Sequence, residues 1–256
     1  MKAIILAGGL GTRLGTLTDK IPKPMIKIGG KPIIWHIMSI YASYGIKDFI
    51  IALGYKGHII KDFFLNYKKN MSDFKINLKT GVVDEMTYEF EDWNIHLVDT
   101  GLNTMTGGRL KKVQHLINER DFLMTYGDGL ANVDISKLIE FHKSHGKTAT
   151  VTAVRPNARF GELDIENDIV NSFKEKPQIN DGWINGGFFI FKKEFIDFIS
   201  DDSTVLEGDP MEKVSSEKEL CAYKHHGFWQ CVDTPRDKEY LENILTSNQK
   251  YPWIND

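Results

Sequence analysis

The sequence predicts an α/β fold, in which a doubly wound, mixed but mainly parallel sheet carries a small antiparallel β element. Short apolar runs of strand length recur along the chain, at Ala3–Ala7, Asp48–Leu53 and Phe122–Tyr126, as expected for buried parallel strands. Segments with helical periodicity separate these runs, which gives the β-α-β order of such sheets. Glycines directly follow the first and third runs, at the edge where open α/β sheets bind ligands.

The first half of the chain shows regular alternation of strands and helices. A helix between Pro32 and Gly45 is predicted by apolar residues at i, i+3, i+4 and i+7. His36 on this helix is interpreted as a packed or polar-face residue rather than a ligand. The other elements predicted here are a helix over 57–67, strands over 74–78 and 94–98, and a helix over 107–117.

The stretch over residues 70–92 is less regular. Its strand at 74–78 is predicted to pair with residues around Thr87 to Phe90. Three interpretations remain open: an insertion that contacts a neighbouring subunit, a cover over the site, or a mobile excursion.

The second half mixes strand directions. Its predicted elements are a helix from Asp134 to His145, a strand over 148–154, a hairpin of 162–165 and 169–174 with a turn at 167–168, a strand over 183–191 interrupted by Gly186 and Gly187, helices over 193–199 and 209–218, a strand over 219–224, and a helix starting at Thr234. His142 and His145 have the i, i+3 spacing of a metal pair, but a solvated helix end next to Gly146 is the interpretation we prefer.

Composition and charge exclude several classes of protein. The 256 residues are 41% hydrophobic and 26% charged, which is ordinary for a globular protein. No linker is visible, so a single domain over residues 1–256 is expected. The net charge of −3 favours neither a nucleic acid nor a membrane as partner. Cys221 and Cys231 do not make a disulfide framework, and the N-terminus has a strand pattern instead of a signal peptide. A reduced, cytoplasmic protein is expected.

The loop after the first strand is suited to phosphates. Three of the four residues at 8–11 are glycines, which remove Cβ atoms and permit positive φ, so the loop N–H groups can wrap a phosphate chain. Arg13 adds five donors, and Lys23 adds a charge between two prolines. A Rossmann dinucleotide loop would have glycine in place of Leu14, and a P-loop would have Gly-Lys-Ser/Thr. An ordinary strand-to-helix turn is the alternative for the glycines alone.

A metal site is predicted at Asp128. This carboxylate lies between Gly127 and Gly129 at the end of a buried strand, with room for a cation and phosphates, and Mg²⁺ prefers oxygen ligands of this kind. A turn-forming aspartate is the alternative.

Gly107 and Gly108 open a predicted helix that has Arg109 in its first turn. A cation there does not suit the helix dipole. A nucleotide at the helix N-terminus would explain both the glycines and the arginine; the alternative is a loop with a solvent-facing arginine.

The combination of Gly-Gly-x-Gly-Thr-Arg-Leu at residues 8–14 with Pro-Lys-Pro-Met at 22–25 resembles the signature of the sugar-1-phosphate nucleotidyltransferases, and the resemblance covers essentially the whole chain. It implies a Rossmann-like nucleotidyltransferase fold, with Arg13, Lys23 and Asp128 as catalytic residues and Asp128 and Asp233 as ligands of Mg²⁺. The nucleotide-binding residues that it implies are Leu6, Ala7, Gly8, Gly9, Leu10, Gly11, Thr12, Arg13, Lys23, Thr104, Gly108 and Arg109. The sugar-phosphate-binding residues that it implies are Glu175 and Lys176 of Phe-x-Glu-Lys-Pro, together with Asn185 and Gly186.

Within the family, the segment Asp-Thr-Gly-x-x-x-Met-Thr-Gly-Gly-Arg-Leu at 99–110 is most similar to the branch that uses CTP and glucose 1-phosphate and releases CDP-glucose and pyrophosphate. The resemblance implies a nucleotide-binding half of about residues 1–130, a sugar-phosphate-binding half of about 131–256, a homo-oligomer, and a role in polysaccharide biosynthesis. Residues 15–18 and Leu102 depart from some relatives and bear on the nucleotide and sugar preference. The alternatives are the same reaction with another nucleotide or sugar phosphate, and a non-catalytic nucleotide-sugar binding protein.

Overall fold

The computed structural model describes residues 1–11, 15, 18–86, 89–156, 162–166, 169–174, 182–248 and 250–254. Its strands are β1 (Ala3–Ala7), β2 (Lys27–Ile28), β3 (Lys31–Pro32), β4 (Asp48–Leu53), β5 (Phe74–Ile76), β6 (Val83–Glu85), β7 (Asn94–Asp99), β8 (Asp121–Tyr126), β9 (Gly129–Ala131), β10 (Ala149–Val154), β11 (Glu162–Glu166), β12 (Ile169–Lys174), β13 (Ile184–Asn185), β14 (Phe189–Lys192), β15 (Leu220–Lys224) and β16 (Trp229–Cys231).

The α-helices are α1 (Ile33–Ala42), α2 (Gly57–Leu65), α3 (Tyr67–Met71), α4 (Thr106–Val113), α5 (Ile135–His145), α6 (Asp209–Ser216) and α7 (Pro235–Asn248). Short 3₁₀ segments cover Lys23–Met25, Gln114–Leu116 and Lys193–Phe198. None of the helices in the described part of the chain is long and apolar enough to cross a membrane.

The main sheet is mixed, as predicted. Its order is β13-β10-β14-β8-β1-β4-β7, and β15 pairs with β10. The pairs β1–β4, β1–β8 and β4–β7 are parallel, whereas β14 runs antiparallel to both β8 and β10. Central strand β1 therefore has parallel neighbours on both sides, and its carboxyl end opens onto the loop at residues 8–11.

The sheet is covered on both faces, which confirms the doubly wound prediction. Alternate residues of β1 enter different apolar clusters because successive side chains of a strand point to opposite faces. Ile5 packs in the cluster that includes Ile37 of α1, whereas Ile4 packs in the cluster that includes Leu110 of α4.

The small antiparallel element is the hairpin of β11 and β12; its turn at 167–168 lies outside the described residues. The predicted interrupted strand is also present, since β13 and β14 are separated by Gly186, Gly187 and Phe188. Gly187 has φ +78° there, a conformation that glycine adopts without steric cost.

Two predictions need correction. The partner of β5 is β6 at Val83–Glu85, earlier in the chain than predicted, because the chain turns back through an Asn77 side chain that accepts from the N–H groups of Lys79 and Thr80. Within the predicted partner, around Thr87 to Phe90, residues 87 and 88 lie outside the described residues.

The second correction concerns the end of α5. His142 is buried instead of solvated, and its Nδ1 lies 2.7 Å from the Thr150 hydroxyl, while His145 Nε2 lies 2.8 Å from the same oxygen. Strand β10 covers this helix end, which periodicity along α5 alone does not reveal.

Candidate active site

A cavity of about 490 Å³ lies at the carboxyl ends of β1 and β8, as the sheet topology predicts. Its lining residues are Leu6, Ala7, Gly8, Gly9, Gly11, Lys23, Pro24, Thr104, Met105, Thr106, Arg109, Tyr126, Gly127, Asp128 and Asp233. Most of the nucleotide-binding residues predicted from the sequence, and both predicted metal ligands, therefore share one cavity.

The loop at residues 8–11 forms one wall. Gly11 has φ +66°, and a Cβ there would lie 3.0 Å from Thr18 and 3.3 Å from Lys23. Thr18 donates from its hydroxyl to the Gly11 carbonyl at 3.1 Å. The glycine is required both by the backbone conformation and by this close packing, which fixes the loop beside Lys23.

Lys23 lies between the two predicted metal ligands. Its Nζ is 2.7 Å from Asp128 Oδ2 and 2.6 Å from Asp233 Oδ1. Burial by itself lowers the pKa of Lys23, but the two carboxylates outweigh it, so the pKa lies above its ordinary value. The ammonium is therefore charged at every physiological pH.

Strand pairing brings the two carboxylates together across the sequence. Asp128 lies between β8 and β9, and β9 pairs with β16 so that Gly129 faces Cys231. The Val232 N–H also donates to the Asp128 carbonyl at 2.9 Å. Asp233 follows directly, and therefore reaches the same end of the cavity as Asp128.

The start of α7 fixes Asp233. The Asp237 carboxylate accepts from the N–H groups of Asp233 and Thr234, at 3.0 and 2.7 Å, and from the Thr234 hydroxyl at 2.8 Å. These bonds satisfy N–H groups that a helix start leaves unpaired. The Thr234 hydroxyl in turn accepts from the Asp237 N–H at 3.3 Å, so Thr234 and Asp237 cap the helix reciprocally.

The two carboxylates fit a divalent cation. Asp128 Oδ2 and Asp233 Oδ1 both lie within hydrogen-bond distance of Lys23 Nζ, so the two carboxylates already hold one positive charge between them. Among the described residues no group of three or more His, Cys, Asp or Glu side chains could hold a metal ion. An ion bound by Asp128 and Asp233 would take its other ligands from water and phosphate oxygens, which is the usual environment of Mg²⁺.

Arg109 is buried and connects several loops through hydrogen bonds. Its guanidinium donates to the carbonyls of Leu53, Gly101, Gly8 and Leu102, at 2.9, 2.7, 3.1 and 3.2 Å, and to the Thr100 hydroxyl at 2.7 Å. Burial lowers its pKa, and Asp99 opposes that shift. Arg109 thus ties the loop after β1 to the ends of β4 and β7. The interpretation of a solvent-facing arginine is wrong, because the side chain turns inward under Gly8.

The N-terminus of α4 is already satisfied by the protein. The Met105 N–H donates to the Asp202 carbonyl at 2.8 Å, and Gly107 and Gly108 donate to the Thr204 carbonyl at 3.0 and 3.3 Å. A Cβ on Gly108 would lie 2.6 Å from the Asp202 backbone. Close packing against residues 202–204 therefore explains the two glycines, and a nucleotide at these amides is not needed to explain them.

Some predicted residues lie outside the cavity lining. Gly108 faces Asp202, Leu10 is 53% exposed, and Gly186 accepts from Trp229 Nε1 at 2.8 Å. Asn185 does not line the cavity but contacts a residue that does, since its Nδ2 donates to the Tyr126 hydroxyl at 3.1 Å. The predictions for Thr12, Arg13, Glu175 and Lys176 fall outside the described residues.

Tyr126, Thr106 and Met105 line the cavity but were not selected from the sequence. The position of Tyr126, as the last strand residue before Gly127-Asp128, could have indicated a site residue. The position of Thr106, directly before the Gly107-Gly108 pair, is a weaker indication.

The chain is similar to known enzymes over nearly its full length. The family model described as nucleotidyl transferase matches residues 2–243. A glucose-1-phosphate cytidylyltransferase from Salmonella typhi is 52% identical over 254 residues, which cover 99% of this chain and 98% of that protein. Among solved structures, HddC from Yersinia pseudotuberculosis complexed with GMP-PN has a TM-score of 0.68 at 28% identity, covering 95% of this chain and 99% of that one. A UDP-glucose pyrophosphorylase complexed with UDP-glucose has a TM-score of 0.68 at 17% identity, covering 96% and 98%, and shares the fold.

Proposed function

Because the chain belongs to the nucleotidyl transferase family, we propose that it transfers the cytidylyl group of CTP to α-D-glucose 1-phosphate, giving CDP-glucose and pyrophosphate. The observation that carries the proposal is the cavity at the carboxyl ends of β1 and β8, in which Lys23 lies between Asp128 and Asp233. The 52% identity to the Salmonella typhi enzyme supports CTP and glucose 1-phosphate as the substrates.

The reaction needs positioning more than covalent participation by the protein. A phosphate oxygen of glucose 1-phosphate attacks the α-phosphorus of CTP, and the bond between that phosphorus and pyrophosphate breaks. The nucleophile is already ionised at neutral pH, so no general base is required. The loop amides at 8–11 and the Lys23 ammonium hold phosphoryl oxygens, where negative charge spreads in the transition state.

Mg²⁺ is part of the proposal. Asp128 and Asp233 would hold it, and when bound it supplies positive charge beside the phosphates. Arg13 and Thr12 remain proposed nucleotide ligands, Arg13 also remains a proposed catalytic residue, and Glu175, Lys176, Asn185 and Gly186 remain proposed sugar-phosphate ligands.

A second candidate is the same reaction with a guanine nucleotide, which the complex of HddC with GMP-PN favours. Its 28% identity to this chain is well below the 52% of the cytidylyltransferase. The test is pyrophosphate release with Mg²⁺ and glucose 1-phosphate, comparing CTP, UTP, dTTP, ATP and GTP in parallel. Preference for CTP by at least tenfold in kcat/KM is expected; preference for another nucleotide would overturn the assignment of the base and keep the reaction.

The proposal extends to the two halves, to assembly and to location. We place nucleotide binding in about residues 1–130 and sugar phosphate in about 131–256 of one domain, acting in the cytoplasm for polysaccharide biosynthesis.

We also propose a homo-oligomer. The hairpin of β5 and β6 supports it, because this part of the chain exposes a group of large apolar side chains, namely Phe74, Ile76, Leu78, Val82, Val83 and Met86. Light scattering coupled to size exclusion tests it; a monomeric mass at micromolar concentration would reject it.

A further inference from the structure

A hydrogen-bonded group of side chains borders the cavity: Tyr126 and Thr106 line it, and Glu207 and Asn185 contact them from outside the lining. The Tyr126 hydroxyl donates to Glu207 Oε1 at 2.5 Å, and the Thr106 hydroxyl donates to Glu207 Oε2 at 2.7 Å. Asn185 Nδ2 donates to the Tyr126 oxygen at 3.1 Å. Glu207 thus joins the end of β8, the start of α4 and β13, although it belongs to a loop that precedes α6.

The loop holds Glu207 in a defined place. Leu206 on its N-terminal side is fully buried, and its N–H donates to the Thr106 hydroxyl at 2.9 Å. Pro210 on its C-terminal side is buried in the first turn of α6. Glu207 itself is exposed, so its carboxylate is anchored on both sides and still open to a ligand.

The donor and acceptor inventory of this group defines what it can bind. Tyr126 gives its only hydroxyl proton to Glu207, so its oxygen can offer a ligand only a lone pair. The Glu207 carboxylate accepts one bond at each oxygen and keeps further lone pairs. Asn185 uses its Oδ1 to accept from the Gly187 N–H at 2.9 Å. The Tyr126–Glu207 pair therefore presents acceptors and a negative charge, which suit hydroxyl donors and repel phosphate.

The position of the Tyr126–Glu207 pair relative to the sheet indicates which substrate supplies the hydroxyl groups. The phosphate-binding loop follows β1, whereas Tyr126 ends β8 and Asn185 ends β13, and both of these strands lie on the side of β1 away from β4. A triphosphate on the β1 loop leaves the β8 side for the second substrate.

We propose that Glu207 determines sugar specificity: with the Tyr126 hydroxyl that it orients, its carboxylate accepts hydrogen bonds from ring hydroxyl groups of the sugar 1-phosphate, and its charge directs the phosphate end toward Lys23. This rests on the proposed function for the identity of the substrates. Ribose hydroxyl groups of the nucleotide have the same chemistry, and the test separates the two sources.

The test is steady-state kinetics of Glu207→Gln with glucose 1-phosphate, its monodeoxy analogues, CTP and dCTP, all with Mg²⁺. Glutamine keeps the size and one acceptor oxygen but removes the charge. We expect the KM for glucose 1-phosphate to rise at least ~10-fold while the KM for CTP stays within about twofold. At least one monodeoxy analogue, disfavoured by the wild type, should lose most of its disadvantage. Glu212→Gln, an exposed carboxylate on α6, is the matched control and should behave as wild type.

The outcomes are distinct. A wild type that releases no pyrophosphate from CTP and glucose 1-phosphate overturns the proposed function and this inference together. An active wild type with an unchanged sugar KM in Glu207→Gln overturns this inference alone. Equal rises in both KM values, or a lost preference for CTP over dCTP, also overturn it. Should Glu207→Gln fail to fold, Tyr126→Phe takes its place under the same criteria.

Discussion

The Lys23 ammonium is ion-paired with Asp128 at 2.7 Å, across 105 positions of sequence. The same ammonium is 2.6 Å from Asp233, so one cation pairs with both carboxylates proposed to hold Mg²⁺ and leaves a net charge of −1 on the three groups. The Lys23 side chain is only 13% exposed, and three charges at such a site are stabilised by each other more than by water. Loss of Lys23 leaves the two carboxylates close together without the cation that they share.

Lys23→Ala should lower kcat at least ~100-fold, because it removes a positive charge from the place where phosphoryl charge develops. Pyrophosphate release at saturating CTP and glucose 1-phosphate measures the effect. Lys20→Ala, an exposed lysine of the same segment, should retain wild-type turnover. Near-normal kinetics of Lys23→Ala would remove this residue from the mechanism.

Asp128→Ala should also lower kcat at least ~100-fold, and it should weaken Mg²⁺ binding at least ~10-fold, since one of two protein ligands is lost. Calorimetric titration of the protein with Mg²⁺ reports the second effect without reference to turnover. Asp134→Ala is the matched control, because Asp134 caps α5 away from the cavity lining through the Lys137 N–H. An unchanged affinity in Asp128→Ala would show that the ion binds elsewhere.

Arg109→Ala should raise the apparent KM for the nucleotide and also destabilise the fold. The substitution removes one of the donors of each of the carbonyls of Leu53 and Gly8, which keep the N–H groups of Thr100 and Tyr55 as donors, and each hydrogen bond lost costs about 0.5–1.5 kcal/mol. Thermal unfolding and the KM for CTP are the two measurements. Arg109→Lys should recover little, because a single ammonium cannot reproduce the fork of the guanidinium. An unchanged KM in a folded variant would reject the nucleotide role.

The sequence predicted much of the fold because β1, β4 and β8 are apolar runs of strand length, each followed directly by glycine. This pattern is local and can be recognised without knowing any contact in space. The motifs around Lys23 and Asp128, and for Asp233 the family resemblance, also led to three residues that lie in one cavity; their roles stay predictions. The sequence could not show that β9 and β16 bring the two aspartates onto one ammonium, because that contact arises only in the folded chain.

Glu207 illustrates what local patterns leave out. It lies in a loop with no motif and meets Tyr126 81 positions earlier in the chain. His142 is a similar case, because the strand that buries it follows the helix that carries it. In both cases the environment of the side chain depends on a neighbour in space that periodicity along one element does not reveal.

Gly108→Ala should destabilise the protein, whereas Gly9→Ala should not. A Cβ on Gly108 would lie 2.6 Å from the Asp202 backbone, which cannot rotate away, while a Cβ on Gly9 would meet no atom within 4 Å. Moving a packed loop typically costs about 1–3 kcal/mol, measurable by denaturant unfolding. Gly9 lines the cavity, so Gly9→Ala should raise the KM for CTP at near-wild-type stability. Equal stability of the two variants would contradict the packing role of Gly108.

Stability should fall as the pH drops from 6.5 toward 4, in part because of His36. This side chain is fully buried, its Nε2 lies 2.9 Å from the Ile28 carbonyl, and its Nδ1 has no hydrogen-bond partner among the described residues. Burial lowers the pKa of His36 from 6.5 to about 4. Between these values the unfolded chain binds a proton that the folded chain does not, so stability is present above pH 6.5 and is lost as the pH falls through 4.

His36→Gln removes this proton linkage and keeps a donor for the Ile28 carbonyl. The slope of the unfolding free energy against pH should decrease in that window, by at most about 1.4 kcal/mol per pH unit. The slope should not vanish, because burial also lowers the pKa of His142 to about 4. Urea unfolding at pH 4.5, 5.5 and 7.5 measures it. His58→Gln, at an exposed position of α2, is the control; a wild-type slope in His36→Gln would mean that His36 is protonated inside the fold.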